Sequence, residues 1–314
     1  GTYYLTQDIT PASPGFRSYC INISANDVLF DGQNHLVQGD DSEDEGIYVG
    51  RDSPGETTNI TIMNVNVTDW DWANIYLEYA DGNNLTNITS LSSPDNGISL
   101  EFSDLNTLKK ITASDNNLGF NLFYSDSNTI TNITASDNNH GFYLGESNSN
   151  TLTNSTFSEN SGYDFYIYGS DYSECKNYLS NVNGSGNRPI GYYNYSANIE
   201  DQTFSELVLC NADNSNVTNV TVDGSDSLDN NMLYIHRTSG TNIARINSSN
   251  NNQGFYLRYS DSNTVNNSIF QDNSGHGSQL DDAGKSGDNK IYNCLLNNTD
   301  NVYFSGTVYS NDWN

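Results

Sequence analysis

The sequence predicts an all-β chain, wound as a single-stranded right-handed parallel β-helix, a solenoid of roughly a dozen coils with a period of about 22 residues. Three observations predict it. One motif recurs at that period, apolar residues alternate in pairs inside each repeat, and Asn, Ser, Thr and Gly are spread through every period. The last feature disfavours the helical solenoids.

The motif is plainest at residues 104–108 (Asp-Leu-Asn-Thr-Leu), 126–130 (Asp-Ser-Asn-Thr-Ile) and 148–152 (Asn-Ser-Asn-Thr-Leu), and it returns at 261–265. Each repeat carries an inward pair: Ile47/Val49, Ile75/Leu77, Ile98/Leu100, Phe120/Leu122, Phe142/Leu144, Phe165/Ile167, Leu207/Leu209, Leu233/Ile235, Phe255/Leu257 and Val302/Phe304. Alternation of period two buries one face of a strand. Ten residues past the first member lies a second apolar column: Leu85, Leu108, Ile130, Leu152, Cys175, Val217, Ile243 and Val265. Three further on lies a third, Ile88, Ile111, Ile133, Val220 and Ile246. A spacing of three cannot continue one strand, so a bend falls between these columns. A polar column, Asn83, Asn106, Asn128, Asn150, Ser173, Ser215 and Asn263, reads as corner residues in left-handed geometry, with amides bonding from coil to coil. The hand follows from the general preference of parallel crossovers.

One β-helix domain is expected over residues 1–314, with 1–30 as N-terminal cap and first coil. Residues 50–58 lengthen one coil into a loop, and 171–206 fit the register badly. The formal net charge is -28 with 34% hydrophobic residues. A charge of that sign repels phosphate backbones and anionic lipid, so nucleic-acid partners are excluded. Nor does any run approach the ~18 apolar residues of a membrane span.

The opening Gly1-Thr-Tyr-Tyr-Leu-Thr-Gln-Asp-Ile9, read as a capping strand, and Cys20-Ile-Asn-Ile-Ser-Ala-Asn-Asp-Val-Leu-Phe-Asp-Gly-Gln-Asn-His35, read as the first coil, carry a resemblance. Together with the repeat columns they resemble the parallel β-helix repeat proteins grouped with carbohydrate-binding proteins and sugar hydrolases, including the periplasmic NosD type. Val308-Tyr-Ser-Asn-Asp-Trp-Asn314 is similar to segments that continue onward in secreted proteins of methanogenic archaea. The resemblance implies the fold, an extracellular, cell-surface location after signal removal, and a chain that runs on beyond residue 314. It leaves function open, because this family hosts enzymes, adhesins and envelope components.

For catalysis the candidates are His276, in a Gly-His-Gly element like that of polygalacturonases, and the neighbouring Asp281 and Asp282. Asn298-Thr299-Asp300 follows, in an order scrambled relative to that family, and its Arg-Ile-Lys element is missing. The reading therefore leans away from an enzyme. No His or Met spacing suits zinc or copper. Calcium is the one cofactor the acidic run admits, with Asp40, Asp41 and Asp44 as ligands; a soluble acidic loop is the other reading. A disulfide between Cys175 and Cys210 across the irregular stretch stands beside the alternative of buried thiols.

The residue between each inward pair points outward. Down the chain these include Tyr48, Tyr76, Tyr143, Tyr166, Tyr234, Tyr256 and Tyr303, a surface aromatic stripe suited to sugars or to protein partners. Sequons stand at Asn22, Asn59, Asn66, Asn84, Asn87, Asn132, Asn154, Asn183, Asn194, Asn216, Asn219, Asn247, Asn266 and Asn297. Occupancy is expected to be partial, and best at Asn22, Asn183 and Asn194.

The leading functional expectation is a secreted cell-envelope glycoprotein, structural or adhesive, whose partners are itself, other envelope proteins or polysaccharide. A carbohydrate-binding module and a polysaccharide lyase or hydrolase are the alternatives. Rods this acidic repel one another, so lateral assembly should depend on divalent cation or salt.

Overall fold

The computed structural model describes residues 1–10, 19–40, 44–50, 57–282, 287–306 and 311–313, with the side chain of Asp282 excepted. Most of the expected loop at 50–58 therefore lies outside the described residues, as does Asp41. The chain is an all-β parallel solenoid of about 12 turns with a period of about 23 residues. It divides into two compact units, Gly1–Asn160 with Tyr166–Val182, and Ser161–Phe165 with Asn183–Asn314.

In the first unit the inward pairs form one parallel sheet through the strands Tyr19–Ile23, Glu45–Val49, Ala73–Glu78, Asn96–Glu101, Leu118–Phe123 and His140–Gly145. Ile75 pairs with Ile98, which pairs with Phe120, which pairs with Phe142; all four are fully buried. The second and third columns share the eight-residue strands Asn84–Leu91 and Thr107–Ser114, where Leu85 pairs with Leu108 and Ile88 with Ile111. The bend between the columns is a single left-handed residue, Asn87 (φ 54°), Lys110 (φ 53°), Asn132 (φ 53°) or Asn154 (φ 52°). Glycine is required at Gly97 and Gly119, where a Cβ would sit 2.7 Å from the carbonyl oxygen of the next coil's glycine.

In the second unit the same bend splits the sheet in two. Asn216–Thr218 and Thr221–Val222 flank left-handed Asn219 (φ 55°) and join different sheets. The inward pairs here stack as Leu207, Leu233 and Phe255, and as Leu209, Ile235 and Leu257, all without solvent exposure.

The polar column is a ladder, and in the first unit its hydrogen bonds differ from those expected. Each amide Oδ1 accepts the backbone N–H of the equivalent residue one coil back: Asn83 from Ile60 at 2.9 Å, and Asn106, Asn128 and Asn150 from their predecessors at 2.8 Å. The left-handed residue is the one before it, Leu105, Ser127 or Ser149. Amide-to-amide bonds of the expected kind form in the column at Asn263, whose Nδ2 donates to Asn289 Oδ1 at 3.1 Å, and in another column, Asn116 to Asn138 and Asn138 to Asn160, both 3.0 Å.

Two column assignments are corrected. Asn177, rather than Ser173, continues the ladder, taking the Asn150 N–H at 2.9 Å across 27 residues instead of 22. The extra residues form a short 3-10 turn, Tyr172–Cys175, capped by Asp171, which carries Cys175 out of the second apolar column. Ser215 and Asn263 do lie on a ladder, with Thr241 between them.

Candidate functional site

Alternation places the Tyr residues of the inward-pair strands on the face away from the core, yet they are not an open platform. In the first unit Tyr19 stacks on Tyr48 (centroids 5.4 Å apart), Tyr48 lies 5.7 Å from Tyr76, and Trp72 meets Tyr76 edge-on at 4.3 Å. Each hydroxyl donates to a carboxylate one coil on: Tyr48 to Glu78 at 2.8 Å and Tyr76 to Glu101 at 2.7 Å. Tyr48 and Tyr76 are buried as a result, and burial, followed by the Glu101 carboxylate, pushes the Tyr76 phenol up. Tyr143 stacks on Tyr166 at 5.7 Å. In the second unit Tyr234 is fully buried against Tyr256 at 5.1 Å, and Tyr303 alone of its stripe is exposed. The surface stripe is thus corrected for Tyr48, Tyr76, Tyr234 and Tyr256: sheet spacing stacks the rings, and stacked rings cover one another's faces.

On the strand that carries Tyr48, Glu45 pairs with Tyr19 and Ala73 of the neighbouring coils; it is 7% exposed, with no hydrogen-bond partner for its Oε2. Burial, then the charges of Asp44 and Glu78, raise its carboxyl to about 7. The exposed Asp44 and Asp40 lie in the acidic run proposed for calcium, but no three carboxylates among the described residues bring oxygens within 4.8 Å of one another.

In the second unit His276 Nδ1 lies 3.0 Å from Asp300 Oδ2, and its ring stacks on Tyr303 at 4.5 Å. Asp281, its expected companion, is held elsewhere, by the Tyr256 hydroxyl at 2.9 Å and Arg258 Nε at 3.3 Å. The histidine's carboxylate therefore comes from the Asn-Thr-Asp element, one coil on. Cys20 and Cys294 are free cysteines, while Cys175 and Cys210 are fully buried. Among the sequons, Asn22, Asn59, Asn84, Asn87, Asn132, Asn154, Asn219, Asn247 and Asn297 are exposed, whereas Asn66, Asn183, Asn194 and Asn216 are half-buried. Asn266 is buried, a correction that follows from its Nδ2 reaching back to Asn242 Oδ1 at 3.3 Å.

The aromatic surface that the fold does leave open lies one position past these strands. Tyr79, Phe102 and Tyr124 follow Ala73–Glu78, Asn96–Glu101 and Leu118–Phe123 and are 50%, 38% and 45% exposed. Their rings stack coplanar, 5.0 Å and 5.1 Å apart with interplanar angles of 6° and 2°. All three are left-handed, with φ of 47°, 47° and 46°. Such a backbone costs a side-chain-bearing residue about 1–2 kcal/mol. The corner does not demand aromatics, since Glu146 and, in the second unit, Asn211 and Arg237 hold the same place with similar φ. Leu105, 64% exposed, belongs to the same corner. Sequence reasoning missed this ridge because it tracked the strand residues. The signal was present as aromatic residues recurring 22–23 positions apart just after each inward pair.

Two residues beyond each ridge aromatic stands an aspartate. Asp81 Oδ1 accepts the Asp104 N–H at 2.7 Å, and Asp104 Oδ1 accepts the Asp126 N–H at 2.6 Å. Ser103 and Ser125, between aromatic and aspartate, are buried, so both rows face outward from one corner. Burial and the neighbouring Asp104 charge raise the Asp126 carboxyl, although Asn148 opposes the shift by hydrogen bonding.

Residues 45–204, just over half of the chain, match the family described as the right handed beta helix region. No curated protein sequence matches the chain. Among solved structures it is similar to PfbA, a surface adhesin of Streptococcus pneumoniae, at 9% identity and a TM-score of 0.48, covering 94% of this chain and 81% of that one. It is also similar to DFA-IIIase from Arthrobacter chlorophenolicus A6, at 10% identity and 0.47, covering 87% and 81%. Pectate lyase Pel9A is a third, at 12% and 0.33, covering 100% and 68%. At these identities the likenesses concern fold alone. With its stacked inward pairs, its one-residue bends and the match over residues 45–204, the chain belongs to the right-handed β-helix family.

Proposed function

We propose that this protein is a secreted, cell-surface β-helix that works by docking, as a structural or adhesive component of an envelope. The observation that carries the reading is the ridge of Tyr79, Phe102 and Tyr124, half-exposed and held in a backbone geometry that disfavours them. Isolated exposed aromatics are ordinary, but a row kept at a conformational cost suits a contact surface. The stacked Tyr rows are less suited to sugar binding, because sugars pack on ring faces and these faces are taken. Glycosylation at exposed sequons, cation-dependent lateral assembly, and the likeness to NosD-type and methanogen surface proteins belong to this same proposal.

The test is sedimentation with envelopes of the organism that makes the protein. The wild type should pellet with them, and Tyr79→Asn/Phe102→Asn/Tyr124→Asn should stay in the supernatant. Asn is the non-glycine residue best tolerated in left-handed geometry, so the variant should keep the fold. Equal sedimentation of both proteins would sink the reading. One observation favours a second reading, a polysaccharide-cleaving β-helix: the His276–Asp300 pair at 3.0 Å. Release of uronic acid from a polyuronate, abolished by His276→Ala, would replace docking with catalysis.

A further inference from the structure

Resting on that docking reading, we infer that the ridge receives a basic polypeptide segment, with Lys or Arg side chains pairing with Asp81, Asp104 and Asp126 while their aliphatic stems lie along Tyr79, Phe102 and Tyr124. Three observations lead there. The two rows rise together, one aromatic and one carboxylate per coil, so a linear partner meets both at once. Within the carboxylate row like charges repeat at the coil spacing, and each aspartate spends its Oδ1 on the backbone of the next coil. A related pairing of arginine with a corner aromatic occurs in the second unit. There the Arg237 guanidinium lies 4.6 Å from the centre of the Tyr259 ring, and Arg258 lies 5.1 Å from it.

The same surface is unsuited to the other occupants. A neutral glycan stacks on ring faces, and within the ridge Phe102 gives both of its faces, and Tyr79 and Tyr124 one each, to the stack. An acidic polymer meets a carboxylate row. A second copy brings a net charge of -28 of its own. A long basic side chain suits ring edges beside carboxylates, because its stem is apolar and its head is charged.

The experiment measures binding of a fluorescein-labelled arginine–glycine peptide to the full chain by anisotropy at physiological salt. Three variants accompany the wild type: Tyr79→Asn/Phe102→Asn/Tyr124→Asn, Asp81→Asn/Asp104→Asn/Asp126→Asn, and the exposed control Asp71→Asn/Asp115→Asn/Asp137→Asn. The aspartate swap keeps the Oδ1 acceptors of the ladder. Affinity should fall at least tenfold in each ridge variant and less than twofold in the control. Wild-type affinity in the aromatic variant, or an equal loss in the control, would mean that net charge alone attracts the peptide, and would overturn the inference. Absence of binding by the wild type would overturn it too. Ridge-dependent dimers of the protein alone would assign the surface to a second copy instead. If the aromatic variant loses its hold on envelopes while the peptide fails to bind, docking stands and only the basic partner falls.

Discussion

Replacing Glu45 by glutamine should flatten the pH dependence of stability in a direction opposite to that of most acidic residues. Glu45 is 7% exposed, its Oε2 lacks a partner, and its carboxyl is raised from 4.5 to about 7 by burial and by Asp44 and Glu78. A carboxyl harder to ionise in the folded state than in the unfolded state holds its proton longer when folded. Between pH 4.5 and about 7 the folded protein thus binds more protons, and stability falls as pH rises through that window. Each tenfold change in proton affinity is worth about 1.4 kcal/mol, so the full loss is about 3 kcal/mol, complete above neutrality. The charges that act on Glu45 are those of Asp44 and Glu78. The useful quantity is therefore the difference between Glu45→Gln and wild type, measured by urea unfolding at several pH values from 4.5 to 8. The amide's own desolvation shifts its curve by a constant, whereas the slope reports the proton. The variant should gain about 3 kcal/mol on the wild type across the window. Parallel curves would show that the Glu45 carboxyl ionises normally and that its burial does not suppress its charge.

Three further outcomes are expected. Asn128→Ala removes the acceptor of the buried Asn106 N–H and should cost about 1–3 kcal/mol by urea unfolding, whereas alanine at the exposed Asn139 should cost under about 1 kcal/mol. Glycopeptide mass spectrometry should find glycan at exposed sequons such as Asn22 and Asn297 and none at Asn266; an occupied Asn266 would contradict its burial. Non-reducing peptide mapping should link Cys175 to Cys210 and alkylate Cys20 and Cys294; four alkylated cysteines in the native preparation would remove the bridge.

The solenoid was legible because its physics is periodic. Ile98, Phe120 and Phe142 stand on one another, so each repeat restates the same burial problem and the columns read straight off the chain. The bend between Leu108 and Ile111 followed from their spacing alone, and Lys110 supplies it in left-handed geometry. What the sequence hid was whatever depends on neighbouring coils. Outward Tyr48 and Tyr76 looked like surface, since alternation separates inside from outside but says nothing of rings covering each other or of Glu78 and Glu101 taking their hydroxyls. Glu45 ends an acidic run in the sequence, and its burial appears only once the register sets it between Tyr19 and Ala73 of the neighbouring coils. The Cys175 misplacement has a local cause: the turn capped by Asp171 adds residues without breaking the local Ser/Asn pattern. His276 was singled out for its glycine neighbours, and its partner proved to be Asp300, because register across coils sets who meets whom.

The central proposal is that the corner bearing Tyr79, Phe102 and Tyr124 is the docking surface, and hydroxyl-radical footprinting tests it most directly. Labelling of these three rings would be compared between the purified protein and the protein bound to native envelopes, with exposed Tyr172 and Tyr195 as internal references. The expected result is protection of Tyr79, Phe102 and Tyr124 on binding while Tyr172 and Tyr195 label as before. Unchanged labelling of the ridge, with protection elsewhere, would contradict it.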